Sequence, residues 1–70
     1  MIREGDRVKV VAREGSPPSE KYSGQRGVVT MTSPSVYGPL FFVQMDANPR
    51  GLDTGFREAD LEEVWEWEDL

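Results

Sequence analysis

The sequence predicts a small all-β barrel of about five strands, and three observations carry that prediction. Apolar and polar residues alternate in several short runs, those runs are separated by stretches dense in Gly, Pro, Ser and Asn, and no segment repeats apolar residues at helical spacing. Strands of this kind must bury their apolar faces against one another, and a curled sheet does so with little chain.

The first strand is Asp6 to Ala12, with Val8 and Val10 on one face and Gly5 opening it. Arg13 to Gly24, "REGSPPSEKYSG", holds two prolines, two glycines and three serines and reads as a long loop anchored by Tyr22. Gly27 to Thr32 is the second strand, with Val29 and Met31 expected on one face and Val28 and Thr30 on the other. After the loop Ser33 to Pro39 comes the most apolar strand, Leu40 to Met45, which places Phe41, Val43 and Met45 together. Turn residues fill Asp46 to Gly51, and Thr54 to Arg57 makes a short fourth strand. Glu58 to Leu61 is too short for an α-helix and predicts one 3₁₀ turn that drops Leu61 into the core, before a fifth strand over Glu62 to Trp67.

Seventy residues make one domain. Its organisation is a barrel over residues 1–64 and an acidic, Trp-containing tail over 65–70. A chain this short buries only about 60% of its extended surface, so its stability margin is thin and a large enclosed active site is not expected. With neither cysteine nor histidine, disulfides, thiolate metal sites, cysteine nucleophiles and the usual neutral-pH base are excluded. No tuned acid–base pair stands out, so the chain reads as no enzyme, with neither cofactor nor metal. The opening Met-Ile-Arg-Glu-Gly has no apolar run that would serve as a signal peptide, and no stretch approaches the roughly 20 apolar residues of a membrane span. A cytoplasmic protein without membrane insertion is expected.

The net charge of −5 is unevenly placed. Residues 1–30 carry a balance of +2 and residues 31–70 one of −7, with seven acids and no base from Glu58 onward. Such a field repels nucleic-acid phosphates and attracts basic proteins or divalent cations.

"GDRVKVV" followed by "GQRGVV" resembles the opening of the KOW-type and nitrile-hydratase-β-type members of the SH3-like small barrels. Val36 to Val64, "VYGPLFFVQMDANPRGLDTGFREADLEEV", is similar in its order of features to the photosystem I accessory subunit IV family. It is similar, more loosely, to the variable chain of ferredoxin-thioredoxin reductase. The shared features are a Pro-led apolar strand (Pro39 to Asp46), an Asn/Gly turn (Asn48 to Gly51), an aromatic short strand (Phe56) and an acidic close (Asp60 to Val64). The resemblance implies an SH3-like barrel and a non-catalytic subunit that docks on a larger complex, in its narrowest form a ferredoxin-linked or photosynthetic one. The photosystem subunit meets ferredoxin with basic residues; the acidic tail here departs from that pattern.

The loops Arg13 to Gly24 and Ser33 to Pro39 correspond in position to those flanking the peptide groove of SH3 domains. Tyr22, Tyr37, Pro39 and Trp65 then line a groove for an extended or proline-rich segment. In "LEEVWEWEDL", Trp65 and Trp67 share a strand face with Glu63, either capping the barrel or anchoring a partner. Arg3, Arg7, Lys9, Arg13, Lys21 and Arg26 form a candidate basic face. The acids Glu62, Glu63, Glu66, Glu68 and Asp69 read as a solvated terminus, because a linear strand lacks the converging oxygens a calcium ion needs; "DANPRGLD" is interrupted by Arg50. The favoured function is a protein-binding accessory subunit or adaptor. The alternatives are a KOW-type nucleic-acid or ribosome-associated module, against which the net charge counts, and an acidic cation-binding or inhibitor/mimic protein.

Overall fold

The computed structural model describes residues 2–48 and 50–64. The elements are strands β1 (Arg7–Val10), β2 (Arg26–Ser33), β3 (Leu40–Met45), β4 (Thr54–Arg57) and β5 (Leu61–Glu63), a helix α1 (Pro17–Lys21) and a 3₁₀ turn (Glu58–Asp60). All pairings are antiparallel and give one sheet in the order β4-β3-β2-β1-β5. The all-β prediction holds. The expected tail, with Trp65 and Trp67, lies outside the described residues.

β4 and β5 stand at opposite edges of that sheet, yet only the three residues of the 3₁₀ turn join them. A flat five-stranded sheet would hold its edges about 19 Å apart, whereas a 3₁₀ segment rises only about 2 Å per residue. The sheet therefore curls, bringing the end of β4 to the start of β5. Its concave face encloses a core of Ile2, Val8, Val10, Val29, Phe41, Val43, Met45, Phe56 and Leu61. The strict alternation in β1 and β3 puts Val8, Val10, Phe41, Val43 and Met45 inside, as their spacing predicts.

Two local predictions fail. Met31 was expected beside Val29 in the core but is 49% exposed. The ladder explains why: Val29 pairs with Val43 and Met31 with Phe42, so Thr30 is an extra residue in a β-bulge that switches faces. We expect Met31→Lys to change stability by less than about 0.5 kcal/mol and Val29→Ala to cost about 2 kcal/mol, as urea denaturation would show.

The long loop between β1 and β2 also holds a helical turn. Pro17 and Pro18 read as breakers, but proline is preorganised for the first helical positions, where its missing N–H costs nothing. α1 then lies against β4.

Candidate functional site

The loop is tied to the 3₁₀ turn by a buried polar cluster centred on Asp60. The Val11 N–H donates to the Asp60 carbonyl (2.8 Å). Asp60 is only 2% exposed, and its carboxylate accepts from Arg13 Nε (2.7 Å), Ser16 Oγ (3.1 Å) and the Arg57 N–H (3.1 Å). One side chain thus joins the loop after β1 to the end of β4. Ser16 directs its hydroxyl to this carboxylate and makes no side-chain cap on α1. Ser19, fully buried, holds the loop from within: its hydroxyl donates to the Ser16 carbonyl (2.8 Å) and accepts from the Arg13 N–H (2.9 Å).

Burial works to raise the Asp60 pKa, but the hydrogen bonds from Arg13, the Arg57 backbone and Ser16, with the Arg13 charge, outweigh it and hold the carboxyl below its usual 3.8. The folded state therefore binds this proton less readily than the unfolded chain. The stability contributed by Asp60 is full above the unfolded value and is lost as the pH falls through the lower folded one. Urea denaturation followed by circular dichroism at a series of pH values should show stability declining below about pH 4.

Above this cluster opens a cleft of about 270 Å³. Pro17 and Pro18 stand on the loop side, Leu40 and Gly55 on the sheet side, and Arg13 and Arg57 both line it. The Arg57 Nη1 donates to the Tyr37 carbonyl (3.0 Å), and its guanidinium carbon lies 5.5 Å from the centre of the Tyr37 ring. Tyr37 is itself 79% exposed, so the rim offers an aromatic surface beside a cation.

The expected groove residues separate. Tyr37 reaches the cleft through Arg57, and Pro39 is exposed next to Leu40. Tyr22 is half-buried, packs edge-on to Phe56 with ring centres 6.2 Å apart, and borders the core rather than the cleft. Trp65 and Trp67 lie outside the described residues. Of the basic residues, Arg7, Lys9 and Arg26 share the outer face of β1 and β2. Arg7 pairs there with Asp46 (2.9 Å), and Lys9 stands opposite Glu62 of β5. Arg13 turns to Asp60, Lys21 sits 5.3 Å from the Tyr22 ring, and Arg3 lies in the turn before β1. The six do not make one face.

Asp60 and Arg57 were not singled out from the sequence. A signal was available: Arg57-Glu-Ala-Asp60 sets an acid three residues after a turn's cap, where it reaches back to the cap N–H, as the acidic half of a capping box does. Among the described residues no group of three His, Cys, Asp or Glu could hold a metal ion. In the "DANPRGLD" loop Asp46 binds Arg7, and Asp53 accepts from the Thr30 hydroxyl. No described helix is long and apolar enough to cross a membrane. No family model matches this chain, and neither a curated protein nor a solved structure matches it significantly.

Proposed function

We propose that this chain is a non-catalytic binding module, an accessory subunit or adaptor that docks on a protein partner through the cleft between the β1–β2 loop and β4. The observation that carries the reading is the cleft itself, where proline walls and two arginines meet on a scaffold fixed by the buried Asp60, with the exposed Tyr37 ring against one of those arginines, Arg57. Exposed aromatic residues and arginine are the types that dominate binding energy at interfaces. The SH3-like family, and a ferredoxin-linked complex as the setting, are the narrower forms implied by the resemblance.

Affinity capture tests the reading with the wild-type chain, Tyr37→Ala and the Trp65→Ala/Trp67→Ala pair, recovering both protein and nucleic acid. A defined protein held by the wild type and lost with Tyr37→Ala supports docking at the cleft. Loss only with the tryptophan pair moves the interface to the tail. Nuclease-sensitive material held equally by all three favours the nucleic-acid alternative.

A further inference from the structure

The cleft holds cationic hydrogen-bond donors for which no described residue serves as acceptor. Asp60 holds Arg13 by Nε, and the Tyr37 carbonyl holds Arg57 by Nη1. Among the described residues, Arg13 Nη1 and Nη2 and Arg57 Nε and Nη2 have no partner. The Arg13 side chain is 43% exposed, so its free edge is open to a ligand. Both guanidinium groups are restrained, one by a buried carboxylate and the other by a carbonyl and an aromatic ring, so less motion is lost when they bind.

We infer that this cleft recognises a carboxylate carried by an extended peptide, the side chain of an Asp or Glu, with Arg13 and Arg57 as the donors. This deepens the docking reading above and rests on it. A planar fork of N–H donors matches a carboxylate in geometry as well as charge. The apolar walls, Pro17, Pro18 and Leu40, adjoin the donors and suit the residues flanking the acid.

Charge selects a peptide over a polyanion. Two arginines against one aspartate leave the cleft locally cationic, while the whole chain carries −5. A single carboxylate senses chiefly the local pair, since screening acts over about 8 Å at physiological salt, whereas a nucleic acid would extend over the acidic surroundings.

The test selects peptides from a displayed library of random linear sequences on the purified full chain. A selected peptide, and the same peptide with its acid replaced by the amide, are then titrated into wild type and Arg57→Gln by fluorescence polarisation. Arg57 is not one of the core residues, and thermal melting is used to check that R57Q folds; Arg13→Lys, which keeps a cation beside Asp60, is the second variant. The expected result is enrichment of Asp or Glu at one position. It is joined by a loss of about ten-fold or more in affinity with the amide peptide, a similar loss with R57Q, and little further loss when the two are combined. Peptides that bind the cleft with no acid enriched, or equal binding by R57Q, overturn the carboxylate inference and leave the docking reading standing. No enrichment of any peptide overturns both.

Discussion

Gly27→Ala is expected to cost about 3 kcal/mol, the upper part of the range for overpacking a core. A domain of this size is stable by only about 4–10 kcal/mol in total, so the loss should move the urea midpoint by a large fraction of its value. Gly27 is buried in β2, with Val8 of β1 on one side and Met45 of β3 on the other. A Cβ there would lie 2.6 Å from Val43 Cγ1 and closer still to the Gln44 carbonyl oxygen. Neither neighbour can yield readily: Val43 is completely buried, and Gln44 belongs to the backbone of β3, held by β2 on one side and β4 on the other. The general gain from replacing glycine in a strand, about 0.5–1 kcal/mol, is too small to offset this. Gly55→Ala is the control. Its Cβ would meet only the Phe42 ring, at 3.3 Å, which can tilt aside, and a change below about 1 kcal/mol is expected. Equal midpoints for the two variants would mean that the sheet spreads at Gly27 far more easily than its ladder implies.

The contrast between these glycines shows where sequence reasoning reaches and where it stops. Alternation marks which side of a strand is apolar, so β3 and β4 fall on their predicted bounds and the inward residues of β1 and β3 are as expected. Period-two reasoning assumes an unbroken ladder, and the bulge at Thr30 breaks it, which is why Met31 emerges. The spacing between strands depends on the curl of the sheet, a property of the whole chain, and the need for Gly27 is invisible without it. The candidate site was legible only in outline. The two loops were visible as loops, but the charged pair Arg13 and Asp60 is separated by 47 positions. Only the pairing of β1 with β5, beside the 3₁₀ turn that leads out of β4, joins them. Tyr37 could be named because it is an aromatic in a loop that corresponds in position to one flanking the peptide groove of SH3 domains; Arg57 could not, because alternation assigns an arginine in a strand to solvent without saying what stands opposite it.

Asp60→Ala is expected to destabilise the fold by about 3 kcal/mol. The variant strips partners from the buried Ser16 hydroxyl and the Arg57 N–H, and frees the Arg13 guanidinium. The three losses are unequal. Arg13, being 43% exposed, can turn to water, so Arg13→Ala should cost less, about 1–2 kcal/mol, most of it from leaving the Asp60 carboxylate with two hydrogen bonds where it had three. Asp60→Asn keeps an acceptor oxygen but sets an amide N–H₂ among donors, and should fall between the two. The acid limb separates a charged hub from a merely polar one. In the wild type the depressed carboxyl makes stability decline as the pH falls below about 4, and both Asp60 variants lack that group, so their stability should depend less steeply on pH there. If Asp60→Asn instead kept both the wild-type stability and the wild-type acid slope, the carboxylate charge would contribute nothing. The β1–β2 loop would then be held by uncharged hydrogen bonds, the Val11 N–H to the residue-60 carbonyl among them, together with the packing of α1 and Tyr22.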